Sequence, residues 1–199
     1  YGIVDLGYVA EKNAIAVAQS LADGGAGIIQ LRAKGRGLDE IRDLALKLQP
    51  ICQKNGVPFI VNDYPEIALE VGADGVHIGQ DDGSLASVRK IVGDAMIVGR
   101  STHSAEQAKL ALLEGFDYIG FGPLFPTPTK VGRPGIGMEN VQLVQSTVGR
   151  EIPVFCIGGI RRGNLEEVLS AGAERVVVVS DVLLAVDVAA AAREIVTQR

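Results

Sequence analysis

The chain has 199 residues, of which 47% are apolar and 22% are charged, which is typical of one folded globular domain and argues against disorder, collagen and coiled coil. Its 19 Lys and Arg residues against 24 Asp and Glu residues give a net charge of −5 without any basic block. That balance argues against a nucleic-acid partner.

Short β-branched runs alternate along the chain with longer stretches rich in Ala, Leu and Glu, and glycine closes nearly every helical stretch. We expect strands at residues 2–5, 27–31, 58–62, 75–78, 96–99, 118–122, 154–157 and 176–179. Between them, glycines stand where each helix is expected to turn left-handed into the next strand, at Asp23-Gly24-Gly25, Asn55-Gly56, Val71-Gly72, Val92-Gly93, Glu114-Gly115, Val148-Gly149 and Ala171-Gly172.

This alternation predicts a parallel sheet, because a crossover of helical length separates every strand from the next. Eight strand–helix units close most economically into a barrel, so we expect residues 1–199 to form one compact α/β domain, a (β/α)8 TIM barrel. A doubly wound open sheet is the alternative, but the loop after the first strand, Leu6-Gly7-Tyr8-Val9, lacks a phosphate-binding fingerprint.

The apolar runs, such as residues 176–179, are far shorter than the roughly 18 residues of a membrane span, and no charged-then-apolar leader opens the chain. We therefore expect a cytoplasmic protein without a membrane partner. Cys52 and Cys156 make neither a disulfide framework nor a zinc set, which favours free thiols in a reducing compartment.

Active sites of such barrels lie at the carboxyl ends of the strands. The second predicted strand carries Gln30, Arg32 and Lys34 on one face, reaching progressively toward that end. Arg can hold a phosphate with two parallel hydrogen bonds and Lys adds a point charge, so the pair suits a diphosphate.

Carboxylates follow the next two strands, at Asn62-Asp63 and at Asp81-Asp82. Beside an Arg/Lys pair, Asp63 and Asp82 predict a site for Mg²⁺, which prefers a few carboxylates together with phosphate oxygens and water. The alternative is that each aspartate caps the helix that follows it.

The fifth and sixth strands lead into Ser101-Thr102-His103 and into the segment 127–137. That segment is too long and too rich in Gly and Pro for a tight connection, which makes it either a lid that carries Lys130 or a plain flexible loop. His103 stays open as a site residue, whereas His77, inside a strand, is expected to be a hydrogen-bonded core residue.

Gly158 and Gly159 follow the seventh strand, and Ser180 follows the eighth. Backbone amides there can close on a phosphate, as is common at this position of the barrel, and Asn164 is expected to cap the next helix. The alternative is a plain turn that needs glycine.

Taken together and in order, these strings resemble the thiamine phosphate synthase family nearly from end to end. The strings that carry the resemblance are Gln30-Leu31-Arg32-Ala33-Lys34, Asn62-Asp63, Gly72-Ala73-Asp74-Gly75-Val76-His77-Ile78-Gly79-Gln80-Asp81-Asp82, Ser101-Thr102-His103, Gly122-Pro123-Leu124-Phe125-Pro126-Thr127-Pro128-Thr129-Lys130 and Ile157-Gly158-Gly159-Ile160.

The resemblance implies an enzyme that joins hydroxymethylpyrimidine diphosphate to a thiazole phosphate, with Mg²⁺ and by a dissociative route through a pyrimidine-stabilised cation. It implies that Gln30 contacts the pyrimidine, that Asp63 and Asp82 bind Mg²⁺, and that the diphosphate is held by Arg32, Lys34, Asn62, Ser101 and Lys130. It places Thr127, Thr129, Gly159, Val179 and Ser180 around the thiazole carboxylate or phosphate. The family also suggests a homodimer.

One position departs from the family pattern: Tyr64 stands where an Arg usually follows the Asn-Asp pair. Three other functions stay open. A thiazole tautomerase of the same superfamily tends to carry a histidine where this chain has Pro123. A sugar-phosphate isomerase or lyase could use Asp5 as its base, and a non-catalytic sensor could bind a phosphate ligand and signal to a partner.

Overall fold

The computed structural model describes residues 1–127 and 134–198 and arranges the described strands as one parallel sheet. The strand order is the chain order, and each strand pairs in parallel with the next. The strands are β1 Gly2–Asp5, β2 Ile29–Arg32, β3 Phe59–Asn62, β4 Gly75–Ile78, β5 Ile97–Thr102, β6 Tyr118–Phe121, β7 Val154–Ile157 and β8 Val176–Val177.

Helices connect these strands on the outside of the sheet. They are α1 Ala14–Asp23, α2 Leu38–Lys54, α3 Pro65–Glu70, α4 Leu85–Val92, α5 Ala105–Glu114, α6 Val141–Thr147, α7 Leu165–Ser170, α8 Ser180–Leu183 and α9 Val188–Thr197. The backbone nitrogen of Tyr1 donates a hydrogen bond to the carbonyl of Val176 at 3.0 Å, which joins the first strand to the last. The predicted (β/α)8 barrel is confirmed.

The main core lies between the sheet and the helices. In α2, for example, Ile41, Leu44, Ala45, Leu48 and Cys52 form one buried stripe, which is the spacing of a helix that packs one face on a sheet. Cys52 and Cys156 are both buried free cysteines, as predicted, and burial raises the pKa of the Cys52 thiol to about 11. Within the described residues, none of the helices has the length and apolar character that a bilayer crossing requires.

Six of the seven predicted helix stops contain a glycine in the left-handed region, for instance Gly115 with φ of 92°. The seventh prediction, at Gly149, is wrong. Gly149 lies inside a 3-10 turn, Val148–Arg150, that extends α6 with right-handed geometry, so no left-handed residue is needed there.

Two strands end two or more residues away from their predicted ends. β5 continues to Thr102, because Arg100, Ser101 and Thr102 still pair with β6. β8 ends at Val177 instead of residue 179, and Ser180 then begins the short helix α8. Ser101 therefore lies within a strand, and Ser180 lies at a helix start.

Candidate active site

A cavity of about 90 Å³ lies at the carboxyl ends of the strands, the end of the barrel where the sequence predicted the site. Alternate residues of each strand face it, because successive side chains of a strand point to opposite faces. From the strands, the lining includes Ile3 and Asp5 of β1, Gln30 and Arg32 of β2, Tyr118 and Gly120 of β6, and Phe155 and Ile157 of β7.

Arg32 is anchored to a neighbouring strand. Its Nη1 lies 2.8 Å from Oδ2 of Asp5, which is only 1% exposed, and the other Asp5 oxygen accepts a hydrogen bond from the Gly7 amide at 2.9 Å. The Asp5 carboxylate is thus committed to holding Arg32. This argues against the alternative in which Asp5 acts as a base.

Lys34, Asp63 and Asp82 come together at the rim of the barrel. Nζ of Lys34 lies 3.1 Å from Oδ2 of Asp63, and the Asp82 carboxyl is near enough to Asp63 to affect the pKa of that carboxyl. The backbone of Asp63 has φ of 69°, a left-handed conformation that is uncommon outside glycine and that Asp and Asn tolerate best. Such strain is characteristic of functional sites.

Neither aspartate caps a helix, so that alternative is wrong. The N-cap of α4 is Ser84, whose hydroxyl accepts from the Ser87 amide at 3.2 Å, and α3 has Tyr64 at its N-cap position without a side-chain cap. Asp82 instead accepts a hydrogen bond from the Gly79 amide at 2.7 Å, which closes its own loop.

The electrostatics of Asp63 reflect this crowding. Burial raises the pKa of its carboxyl, the neighbouring Lys34 opposes that effect, and the adjacent Asp82 carboxyl raises the pKa further. Two adjacent carboxylates are hard oxygen ligands of the kind that Mg²⁺ takes. Within the described part of the chain, no group of three or more His, Cys, Asp and Glu side chains could hold a metal.

The outer side of β5 holds the loop that carries Asp82. The Arg100 guanidinium donates to the carbonyls of Gly83 at 2.7 Å and Gln80 at 3.2 Å, on either side of Asp82. The same guanidinium lies 5.3 Å from the centre of the Phe116 ring. Arg100 therefore positions an acidic loop that it does not belong to.

Gly158 and Gly159 face the cavity after β7, with φ of 98° and 67°. A β-carbon on Gly158 would overlap Pro123, so glycine is needed there for close approach of two loops. Asn164 occupies the N-cap position of α7 as predicted, but its side chain makes no capping hydrogen bond there. Its amide group donates to the Gly159 carbonyl at 3.1 Å and accepts from the Arg161 amide at 2.8 Å, which braces the glycine loop.

Buried polar side chains form the inner end of the cavity. His77 is only 9% exposed and lies between the hydroxyls of Tyr118, at 3.0 Å, and Ser101, at 2.9 Å, so its predicted hydrogen-bonded state is confirmed. His103 also lines the cavity, and its Nδ1 donates to the Gly122 carbonyl. The ring of Tyr118 fits only because β5 has Gly99 beside it, where a β-carbon would overlap the ring.

The structure brings most of the predicted site residues together. Lys34, Asp63 and Asp82 meet at the rim, and eight others line the cavity: Gln30, Arg32, Asn62, Ser101, Thr127, Gly159, Val179 and Ser180. Thr129 and Lys130, with most of the predicted lid, lie outside the described residues.

Sequence reasoning missed Tyr1, Tyr118 and Phe155 as cavity residues. The period-two alternation that identified Gln30 and Arg32 could have found them, because Tyr118 shares a face with Gly120 and Phe155 shares one with Ile157. Their aromatic character instead resembled ordinary core.

Comparison with known proteins adds to this geometry. The family model described as thiamine monophosphate synthase matches residues 1–182. The chain belongs to this family. It is an enzyme of the thiamine-phosphate synthase type.

Individual relatives agree with the family assignment. A thiamine-phosphate synthase of Thermus thermophilus is 46% identical over 170 residues, covering 85% of this chain and 81% of the relative. One of Chloroflexus aurantiacus is 39% identical, and the match covers 98% of this chain and 89% of that protein. One of Gloeobacter violaceus is 44% identical over 80% of this chain, which spans only 46% of that longer protein.

Solved structures show the same fold. A thiamine phosphate pyrophosphorylase of Pyrococcus furiosus superposes with a TM-score of 0.89 at 33% identity, over 99% of this chain and 93% of that one. A 3-hexulose-6-phosphate synthase superposes with a TM-score of 0.68 at 17% identity, over 98% of this chain and 96% of that one. This likeness shows the barrel fold alone.

Proposed function

We propose that this member of the thiamine monophosphate synthase family joins hydroxymethylpyrimidine diphosphate to thiazole phosphate, forming thiamine phosphate and releasing diphosphate. The observation that carries the proposal is one cavity with anion-binding groups in two sectors of the barrel. Arg32, Asn62 and Ser101 face it from β2, β3 and β5, and Gly159 and Ser180 face it after β7 and β8. Two phosphorylated substrates need two such sectors.

The first sector suits the diphosphate. Asp5 fixes one edge of the Arg32 guanidinium and so orients its remaining N–H groups, while Lys34 adds a point charge at the rim. The hydroxyl of Ser101 and the amide of Asn62 supply neutral donors. Gln30, 3% exposed and deeper in the cavity, would contact the pyrimidine.

The rim carboxylates fit Mg²⁺. Burial raises the pKa of Asp63 even with Lys34 beside it, repulsion from Asp82 adds to the rise, and a divalent cation would relieve that repulsion. Two carboxylates leave room for the phosphate oxygens and water that complete a magnesium shell. When bound, Mg²⁺ would neutralise charge on the leaving diphosphate.

The charge balance of the site supports a cation requirement. Among the described residues, Arg32 and Lys34 face three carboxylates, those of Asp5, Asp63 and Asp82. Lys130, as a further cation, would bring this group only to neutrality. We therefore expect the site to bind a diphosphate weakly until Mg²⁺ makes it positive.

We propose a dissociative reaction, in which diphosphate leaves first and the thiazole nitrogen attacks the pyrimidine-stabilised cation. Such a route requires stabilisation of the leaving group and correct positioning, and it does not require a strong base. The two histidines are consistent with that, because both ring nitrogens of His77 and the Nδ1 of His103 already have hydrogen-bond partners.

The second sector suits the thiazole phosphate. Amides of Gly159 and Ser180 can donate to phosphate oxygens, and the glycine loop leaves room for that approach. Thr127 and Val179 line the same side of the cavity, and Thr129 is expected nearby from the family pattern. We further propose that the protein is cytoplasmic, acts on small molecules alone and forms a homodimer. Light scattering can measure that oligomeric state.

The test is diphosphate release by the purified protein with both substrates and Mg²⁺, with each of the three omitted in turn. We expect release only when all three are present. Binding of either substrate without any release would instead support a tautomerase or a sensor, and Tyr64→Arg would then show whether restoring the usual family residue restores turnover.

A further inference from the structure

Five side chains form a continuous hydrogen-bonded chain across the interior of the barrel. Gln30 Nε2 lies 2.8 Å from the Tyr1 hydroxyl, which lies 3.0 Å from the Tyr118 hydroxyl. The Tyr118 hydroxyl lies 3.0 Å from Nδ1 of His77, and Nε2 of His77 lies 2.9 Å from the Ser101 hydroxyl. The chain thus connects the residue placed for the pyrimidine with a residue placed for the diphosphate.

Both tyrosines keep their protons. Burial raises the pKa of Tyr1 and of Tyr118 well above the ordinary value for a phenol. Each hydroxyl can therefore donate one hydrogen bond while it accepts another. A neutral imidazole likewise donates from one nitrogen and accepts at the other.

Such a chain can be satisfied in two directions. In the first, the Gln30 amide donates to Tyr1, Tyr1 to Tyr118, Tyr118 to Nδ1 of His77, and Nε2–H of His77 to Ser101. In the second, every bond is reversed and the Gln30 carbonyl oxygen accepts from Tyr1. Between the two, His77 exchanges an Nε2–H bond for an Nδ1–H bond, stays neutral, and each hydroxyl keeps one proton.

The ends of the chain present opposite groups in the two directions. In the first direction Ser101 has its proton available and Gln30 has its carbonyl oxygen available. In the second direction the Ser101 proton is used by His77, and the Gln30 amino group faces the cavity. An anion accepts hydrogen bonds and cannot donate them, so an anion at Ser101 favours the first direction.

We propose that this chain couples the two halves of the pyrimidine diphosphate site: diphosphate at Ser101 selects the direction in which Gln30 presents its carbonyl oxygen to the amino group of the pyrimidine. Tyr1, Tyr118 and His77 are then positioning residues. The proposal rests on the proposed function for the identity of the ligands, and its own content is the coupling between them.

Tyr118 is the best place to interrupt the chain. Its ring packs edge-on against Phe155, with centroids 5.6 Å apart, and the space beside Gly99 accommodates the same ring without its hydroxyl. Tyr118→Phe therefore removes one oxygen and leaves the packing. Tyr1→Phe interrupts the chain one link away and serves as the second variant.

The experiment measures binding without catalysis. The probe is the unphosphorylated hydroxymethylpyrimidine alcohol, titrated calorimetrically with and without saturating Mg²⁺ and inorganic diphosphate. In the wild type we expect diphosphate to tighten alcohol binding by about five- to tenfold, within the usual range of coupling between sites. In Tyr118→Phe and Tyr1→Phe we expect a change of less than about twofold, and in the control Tyr8→Phe we expect the wild-type coupling.

A spectroscopic readout separates positioning from general structural damage. The chain has two histidines, so two-bond proton–nitrogen NMR gives two ring patterns, and His103→Gln identifies the pattern of His77. In the wild type, diphosphate should increase the Nε2–H form of His77. In Tyr118→Phe that response should be lost.

The possible failures are distinguishable. If the wild type binds neither ligand, the proposed function fails. If both ligands bind and the coupling is equal in wild type, Tyr118→Phe and Tyr1→Phe, the proposed coupling through the hydrogen-bonded chain is overturned while the proposed function stands. A His77 ring that stays in the Nδ1–H form with diphosphate bound would overturn it as well.

Discussion

Replacing Asp5 by Asn tests whether Arg32 depends on its buried partner. The ion pair has a 2.8 Å separation, with Asp5 1% and Arg32 15% exposed. Breaking a buried pair by removing one partner costs about 3–5 kcal/mol, because the other charge is left uncompensated. The loss should be smaller here, because Arg32 borders the cavity and an Asn at position 5 would still accept a hydrogen bond from the Gly7 amide. We therefore expect the free energy of unfolding to fall by about 2–3 kcal/mol.

Asp181→Asn is a matched control. Asp181 also accepts from one guanidinium at 2.8 Å and from one backbone amide, both of Arg162, but the pair is 34% and 26% exposed. Exposed pairs contribute about 0–1 kcal/mol. Urea unfolding measures both losses, and at about 2–4 °C per kcal/mol for a chain of this size the melting temperature should fall by about 4–12 °C in Asp5→Asn.

Asp5→Asn should also impair catalysis, with kcat/KM about 10- to 100-fold lower, since Arg32 loses its orientation. The reasoning is refuted if Asp5→Asn loses no more stability than Asp181→Asn. Normal kcat/KM in a destabilised Asp5→Asn would show that Arg32 does not need this anchor.

Three further changes test the rim and the electrostatics. Asp63→Asn keeps a residue type that tolerates positive φ and removes a carboxylate whose raised pKa means that its charge opposes folding at neutral pH. The melting temperature should therefore stay equal or rise, while diphosphate release is lost. A clear fall in the melting temperature would contradict this. Arg100→Met removes two hydrogen bonds to the Asp82 loop and should raise the Mg²⁺ concentration for half-maximal activity about three- to tenfold. An unchanged Mg²⁺ requirement would show that the loop keeps its conformation without Arg100. For Asp181, burial acts to raise the pKa, but hydrogen bonds from Arg162 outweigh it and hold the pKa below its ordinary value. The stability lost in Asp181→Asn should therefore shrink as the pH falls below about 3.9, and a loss independent of pH would refute the assignment.

The barrel could be predicted because each unit repeats the same local signals. A glycine such as Gly115 ends a helix through its own backbone freedom, and an alternating strand such as β2 sorts its own side chains into two faces. Both signals depend only on residues close together in the chain. The prediction failed at Gly149, where a 3-10 turn satisfies the helix end without a left-handed residue.

The side-chain contacts between different strands could not be predicted in the same way. Asp5 and Arg32 are 27 positions apart, and His77 and Tyr118 are 41 apart, so only strand neighbours and barrel closure bring them together. Local pattern also could not separate the rim aspartates from helix caps. Ser84 and Asp82 are two residues apart, and the structure shows that only Ser84 performs the capping.

The close fit of Gly99 against the Tyr118 ring links the evolutionary histories of these two positions. While Tyr118 is present, every side chain larger than hydrogen at position 99 meets the ring, so substitutions there are selected against whatever their effect on the strand. A lineage could enlarge residue 99 only after Tyr118 had been replaced by a smaller residue. The order of the two substitutions is therefore fixed, and a bulky residue 99 in a homologue should report that its tyrosine has already been lost.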